Sequence, residues 1–530
     1  MSDLEVAVAE SRHACGPSIQ YHRQRKEGGY VSDAGLRVMM VTSEAVPFAK
    51  AGGLGDMVGA LADSLTRLGH DVRIVLPRYY GIDLSRLAPV GRPLGVPLGG
   101  GEEWCAVYQG RTPGAGAPVY LLDHQGLYGR DGIYGTRAEP DFRDNLRRFA
   151  LLCRGALQLA KALGWVPHVV HAHDWPGALA PVYLNTVEHA GPFAATGSVL
   201  TIHNLGHQGV FDKLEFPTIG LPWELFHGAG FEFHDRVNLL KAGLHAADVL
   251  TTVSPTYAAE IQTPALGHGL DGLLRYRRTD LLGVLNGMDY GEWNPETDPH
   301  LVANYSARAW KRGKARNKAA VQEAFGLAVD PDVPLYGMVS RLADQKGFGT
   351  LCGPAHGSLA WMCANFDLQF AIVGTGDAWC ERELTSLSER FPRLGVHIGF
   401  DERLAHLVQA GSDFFLMPSA YEPCGLAQMY ALRYGTLPIV RRTGGLADTV
   451  VNYDQATGDG TGFVFDLLTP AAIYDTVGWS LWAWHDRRQH LDAMRKRAMK
   501  VRFSWEDAAA RYAELYQGAI DRRLGRVPRT

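Results

Sequence analysis

The chain alternates short apolar runs with longer amphipathic stretches, stops once, and then begins the same alternation again. Runs at 36–42, 73–76, 119–122, 169–173, 199–203 and 249–253 read as buried strands, and 56–68, 142–163 and 236–246 read as helices. A strand apolar on both faces has to be covered on both faces, so helices between such strands imply a parallel sheet sandwiched by helices. The rhythm pauses over 289–333, where prolines and charges accumulate. It resumes with strand-like runs at 335–340, 368–373, 396–398, 414–418 and 437–440, with helices at 401–410 and 425–434 between them. The pattern predicts an α/β chain of two Rossmann-like, doubly wound domains, with ligands at the carboxyl ends of strands facing a shared cleft. The expected boundaries are a mobile tail over 1–34, a first domain over 35–288, a linker region over 289–333, a second domain over 334–504 and a terminal helix over 505–530 returning towards the first domain. A chain of 530 residues has room for two or three such cores.

Several function classes drop out early. A net charge of −4 gives no reason to expect nucleic acid or an anionic membrane as partner. No apolar run approaches the ~20 residues that cross a bilayer. The seven cysteines are scattered with no CxxC pair, which argues against a disulfide framework or a zinc knuckle and for a reducing compartment, the cytoplasm by default. Residues 1–34 mix Arg12, Arg23, Arg25 and Lys26 with Glu5, Glu10 and Glu27 and contain no apolar core, unlike a secretory signal.

One phrase occurs twice: Gly52-Gly53-Leu54-Gly55-Asp56-Met57-Val58 and Gly444-Gly445-Leu446-Ala447-Asp448-Thr449-Val450. Each copy follows a strand-like run and opens a helix-like one. A glycine pair there lets backbone N–H groups and the helix N-terminus approach an anion. Two copies, one per half, point to a ligand rich in phosphate or hydroxyl oxygens held between two domains. Lys50 beside the first copy is a compact charge suited to a diphosphate. Arg341 and Lys346, five apart after the first strand of the second half, can converge on the same group and neutralise a leaving nucleoside diphosphate. In Tyr421-Glu422-Pro423-Cys424-Gly425-Leu426, Pro423 fixes a turn and Gly425 permits close approach, so that Glu422 can meet sugar hydroxyls or an anomeric carbon. His171-Ala172-His173-Asp174 ends a strand with both histidines on one face. That pair fits either a hydrogen-bonding role for one histidine or, with His203, Asn204 and Asp289, the metal centre of a hydrolase. The Walker, GxGxxG and GxSxG patterns are absent, and the only Asp-x-Asp, Asp330-Pro331-Asp332, sits in the proline-flanked pause.

In this order and spacing, KAGGL, HAHDW, the Arg341–Lys346 loop, EPCGL and RRTGGLADTV resemble the bacterial glycogen synthases and plant starch synthases. The resemblance runs from Leu36 to about Tyr516 and includes Leu240-Lys241-Ala242-Gly243-Leu244, Val253-Ser254-Pro255-Thr256-Tyr257 and Val284-Leu285-Asn286-Gly287. It implies a GT-B fold and the retaining transfer of glucose from ADP-glucose to the non-reducing end of an α-1,4-glucan such as glycogen, with no metal and no other cofactor. It also implies roles. Glu422, Arg341, Lys346, His173 and Asp144 would carry the reaction centre. Lys50, Gly52, Gly53, Asp56, Asn145, Asn286, Phe400, Cys424, Gly425, Leu426, Thr443, Gly444 and Gly445 would bind substrate. The chain departs from the family at Ala51 and Gly55, where Thr and Ala are common. Phe400 replaces a tyrosine that stacks on adenine, and His207 replaces an aromatic near the acceptor. Three alternatives stay open: a UDP-glucose-using or short-maltooligosaccharide-elongating enzyme, a non-catalytic glucan-binding paralogue, and the metal hydrolase.

Overall fold

Two sheets carry the fold in the computed structural model, which describes residues 35–353 and 357–527. The tail expected over 1–34 lies outside them. In the first sheet, β1 (Arg37–Val41), β2 (Asp71–Pro77), β3 (Pro118–Asp123), β4 (Val169–His173), β5 (Gly197–Ile202), β6 (Val249–Thr252) and β7 (Leu281–Gly283) are parallel, in the order β7-β6-β5-β4-β1-β2-β3. Every position of β4 and β5 is buried, as covering on both faces demands. Alternate residues of β1 feed different cores: Met39 and Val41 enter one cluster, Val38 and Met40 another.

The second sheet is parallel throughout. It contains β8 (Leu335–Val339), β9 (Gln369–Gly374), β10 (Leu394–Ile398), β11 (Phe414–Met417), β12 (Leu437–Arg441) and β13 (Phe463–Phe465), in the order β10-β9-β8-β11-β12-β13. Strand order reverses between β1 and β4 in the first sheet and between β8 and β11 in the second. At such a reversal the outgoing loops diverge and open a crevice at the carboxyl ends of the strands.

The first sheet is mixed rather than purely parallel. Gly101–Arg111 pairs antiparallel with β3 and carries Ala88–Pro89 and Leu94–Leu98. Only Cys105 and Val107 of its eleven residues are buried, so it lacks the apolar run that marks the parallel strands. Helix α1 (Gly53–Arg67) starts at the second glycine instead of at Asp56, and α2 (Asn145–Ala162) starts at Asn145 instead of 142. The stretch 236–246 divides into an antiparallel strand, Arg236–Asn238, and the helix Leu239–Ala246, because the Asn238 side chain accepts from Lys241 N and caps the helix there.

Further helices matter for the site: α3 (Pro255–Glu260), α4 (Trp310–Ala324), α5 (Glu402–Gly411), α6 (Ala427–Arg433), α7 (Gly444–Thr449) and α8 (Trp505–Arg523). α4 lies inside the charged pause and packs on α5, with the buried Lys314 ammonium donating to Ala410 O at 2.9 Å and Thr436 Oγ1 at 2.6 Å. α8 packs against α1 and β5, and Arg522 reaches Asp280 at 2.5 Å. Among the described residues no helix is long and apolar enough to cross a membrane.

Candidate functional site

Both strand-order reversals open into one cavity of about 660 Å³, continuous in its lining with a second of about 250 Å³ beneath Arg341 and Lys346. Glu44, Gly52, Gly53, Asp174, His203 and His207 line it from the first sheet; Arg341, Gln345, Lys346, Glu422, Cys424 and Leu426 line it from the second. Ten of these twelve carry polar side chains or bare backbone, a density of hydrogen-bonding groups suited to a sugar nucleotide.

On the second-sheet side, β8 delivers the Arg341–Lys346 loop and β11 delivers Glu422. Ala420 N donates to Gln345 O at 2.8 Å, which ties the two loops together. Lys346 Nζ lies 2.6 Å from Glu422 Oε2, and Ser419 Oγ donates to the same oxygen at 3.0 Å. Arg341 is exposed and donates to Gln345 Oε1 at 3.1 Å, leaving most of its guanidinium N–H groups facing the cavity. Gly425 holds φ +70°, and with Leu426 it leads into α6. Burial pushes the Cys424 thiol up to about 12, so at neutral pH it is a protonated packing group.

On the first-sheet side the glycine loop is organised by Glu44, which the sequence reading passed over. Its buried carboxylate accepts from Ala51 N at 2.6 Å and Gly52 N at 3.0 Å through one oxygen, and from Tyr134 OH at 2.5 Å through the other. The amides of that turn are thus drawn inward onto a protein carboxylate. Lys50 is half exposed and pairs with Asp56 at 2.7 Å; burial raises the Asp56 carboxyl, with Lys50 pulling the other way. Neither Lys50 nor Asp56 lines the cavity.

The histidines separate cleanly. His171 spends both ring nitrogens, Nδ1 2.8 Å from Tyr516 OH and Nε2 2.7 Å from Thr201 Oγ1, so HxH does not present two free ligand atoms. His173 Nδ1 lies 3.2 Å from His203 Nε2, while its Nε2 is buried with no protein partner; the ring is fully buried and stands outside the cavity lining, behind His203. Burial lowers the His171 and His203 rings to about 3 and His173 well below its usual value, so all three are neutral hydrogen-bonding groups. Asp174 adopts φ +51° and accepts from His203 N at 2.7 Å; burial raises its carboxyl to about 7.

Asp144 and Asn145 stand at the start of α2, outside the cavity lining. Asp144 pairs with Arg130, and Asn145 is held by Tyr134 O and Arg148, while Asp141, three residues earlier, reaches the cavity. Asn286 lines it, with a buried Oδ1 lacking a partner. Phe400 follows β10 and is 87% exposed, at the same carboxyl edge as the Arg341 loop.

Thr443, Gly444 and Gly445 sit behind the Glu422 turn. A Cβ on Gly444, at φ +42°, would stand 1.9 Å from Glu422 O, so only glycine allows this approach. Gly445 N donates to Glu422 O at 3.1 Å, and Gly444 N donates to both oxygens of Glu260, at 3.1 and 3.0 Å. Glu260 comes from α3 of the first half. At the other end of α3, Thr256 Oγ1 donates to Asp448 Oδ1 at 2.6 Å. The two halves are therefore stitched beside the crevice by a pair of carboxylate contacts of opposite direction. Of the residues missed, Glu44 and Asp174 were discoverable as acids just past strand ends; Glu260 gave no local signal.

The comparisons agree with this geometry. Residues 37–276 match the family model of the starch synthase catalytic domain, and 322–498 match glycosyl transferases group 1. The chain is 51% identical to a glycogen synthase of Treponema denticola over 92% of this chain and 99% of that one. It is 48% identical to glycogen synthase 1 of Geobacter sulfurreducens over 92% and 97%. It is similar to the catalytic domain of starch synthase IV from Arabidopsis thaliana bound to ADP and acarbose, with a TM-score of 0.84 and 31% identity over 92% of this chain and 100% of that one. A sucrose-phosphate synthase from Thermosynechococcus elongatus, 17% identical with a TM-score of 0.56 over 91% and 98%, shares the fold. The two half-chain matches, the near-complete coverage and the paired switch points lead to one conclusion: the chain belongs to the glycogen synthase and starch synthase family of GT-B glucosyltransferases.

Proposed function

We propose that this enzyme transfers glucose from ADP-glucose to the non-reducing end of an α-1,4-glucan, with retention of configuration, without a metal, and in the cytoplasm. The observation that carries the reading is the meeting of Arg341, Lys346 and Glu422 at one end of a cavity whose other wall offers neutral histidines and Asp174. Arg341 and Lys346 are the two cations placed to hold a departing diphosphate. An ammonium has three donors, so Lys346 can keep Glu422 and also bind a phosphate oxygen. Glu422, fixed from two sides, is then set to accept glucose hydroxyls. Phe400 offers an open ring for a purine.

In this reading the acceptor 4-hydroxyl attacks the anomeric carbon from the face the diphosphate leaves, and its proton passes to a leaving phosphate oxygen. The glucosyl–phosphate bond breaks as the new glycosidic bond forms. Asn286 Oδ1, in the cavity lining, supplies an unpartnered polar atom for the sugar. The HxH pair gives no support to a metal hydrolase, because His171 is consumed by Tyr516 and Thr201.

The test is glucose incorporation into glycogen from ADP-glucose and UDP-glucose side by side, with EDTA present. Transfer from ADP-glucose that EDTA leaves intact supports donor, reaction and metal independence together. Preference for UDP-glucose overturns the donor; silence with both donors, on glycogen and on maltooligosaccharides, promotes the glucan-binding paralogue.

A further inference from the structure

Outside the cavity lining, the segment before α4 meets α5 at a cluster the transfer reaction does not use. His300, Glu402 and His406 present ligand atoms that all lie within 4.8 Å of one another. Glu402 and His406 are four residues apart and share one face of α5, while His300 comes from the 289–333 segment. His406 is the anchor. It is 1% exposed, its ring stacks on Trp293 at 3.8 Å and 10°, and its Nδ1 lies 2.8 Å from Asp298 Oδ2.

Asp298 is itself fixed: His300 N donates to Oδ1 at 2.9 Å, and Tyr434 OH donates to Oδ2. A carboxylate gathering donors makes Nδ1 of His406 the N–H bearer. In the neutral ring the lone pair is then on Nε2. That atom is buried and has no hydrogen-bond partner, and Glu292 Oε1 is 4.0 Å from it. A histidine with one nitrogen held by a carboxylate and the other without a partner, in a cluster with a second imidazole and a second carboxylate, is the arrangement of a metal ligand with its supporting shell.

We propose that His300, Glu402 and His406 form a structural site for a zinc-type divalent cation, separate from the sugar-transfer centre. Two imidazole nitrogens and one carboxylate oxygen select a borderline cation such as Zn²⁺ over Mg²⁺ or Ca²⁺, which take mostly oxygen. Glu292 or a water completes four-coordination. A tetrahedral centre with bonds of about 2.1 Å sets ligand atoms about 3.4 Å apart, so the cluster must draw in. Glu402 is exposed and His300 only partly buried, and both can pivot onto the fixed His406. The ion would pin the 289–333 segment, which joins the two sheets, to α5 of the second.

The experiment uses the full chain, stripped with EDTA and titrated with Zn²⁺ against a chromophoric chelator, with metal content measured on the reloaded protein. One zinc per chain is expected, with a higher melting temperature than the stripped form. His300→Ala and Glu402→Gln should each weaken that binding by roughly 10–100-fold, the scale of losing a metal-site contact. They should leave the metal-free glucosyl transfer rate unchanged. Co²⁺ loaded into the wild type should show the visible bands of a low-coordinate centre, lost in His300→Ala. The two surface variants carry the test because His406→Ala removes a buried ring. No stoichiometric uptake by the wild type overturns the proposal. Uptake of equal affinity in both variants overturns it as well, since the zinc is then held elsewhere.

Discussion

Replacing Lys346 with alanine separates two things that the Lys346–Glu422 contact does at once. The ammonium is 19% exposed and the carboxylate 7%, at 2.6 Å, with Ser419 Oγ donating to the same oxygen. Stranding a buried carboxylate costs about 3–5 kcal/mol when burial is complete; with a fifth of the lysine in water, about 2–4 kcal/mol is the expected loss. For a second sheet domain of under two hundred residues this lowers the melting temperature by on the order of 5–10 °C. Turnover should fall by about a hundredfold or more, because a transition-state contact to the diphosphate goes with it. The double variant Lys346→Ala/Glu422→Gln, read against Glu422→Gln alone, distinguishes the two losses. It removes the stranded charge, so more than half of the stability should return, yet the diphosphate contact is still missing and turnover should not recover. The assays are calorimetric melting and initial rates from ADP-glucose at saturating glycogen. Turnover that recovers together with stability in the double variant would refute the reasoning and reduce Lys346 to a structural counter-ion.

Arg341→Ala should lower turnover by about a hundredfold while leaving melting unchanged, since the side chain is exposed and bonded only to Gln345; near-normal rates would remove its assignment. Asp174→Asn tests a pH dependence. The folded carboxyl is raised to about 7, above the ordinary 3.8, so the stabilisation is complete below about 4 and is lost as pH rises through 7. The loss amounts to about 4 kcal/mol at the upper limit, and urea midpoints across that range should flatten in the asparagine variant if the assignment holds. Glu44→Ala unpairs Ala51 N and Gly52 N and leaves Tyr134 OH with Ser43 Oγ alone; it should cost about 2–4 kcal/mol and at least tenfold in turnover, with Glu44→Gln milder in both, and equal effects of the two would contradict the role given to the carboxylate. Cys424 in the native protein should resist iodoacetamide at neutral pH, and rapid loss of activity on alkylation would contradict a thiol held near 12.

The parallel strands were legible because each is apolar on both faces, and the restart of the rhythm after 333 marked the second sheet. What escaped was half-wet or non-local. Gly101–Arg111 buries two side chains and reads as polar chain, although it extends the first sheet. Helix starts moved by up to three residues because caps and first turns are decided by tertiary contacts, as at Asn145, whose side chain bonds Tyr134 O and Arg148. In the site, the Arg341 loop and the Glu422 turn could be found from strand-end position alone. The carboxylate of Glu260, bonded to an amide 184 residues away, could not, since nothing within α3 distinguishes it from a surface acid.

The repeated Gly-Gly-Leu phrase shows why a shared motif does not guarantee a shared task. In both copies a glycine pair after a strand opens a helix, Gly53–Arg67 after β1 and Gly444–Thr449 after β12, and small residues make that entry possible. In the first copy the turn faces the cavity, yet its Ala51 and Gly52 amides are claimed by Glu44, so its shape is set from inside the first domain. In the second copy the glycines are compressed against Glu422 and Cys424, and the amide of Gly444 is claimed from across the cleft by Glu260. One copy therefore shapes a wall, and the other braces the turn that carries Glu422 and ties the two halves together. The anion-binding reading of a glycine loop assumes amides that are free. Here protein carboxylates hold the amides of Ala51, Gly52 and Gly444, which in the proposed reaction leaves the diphosphate to the side chains of Arg341 and Lys346.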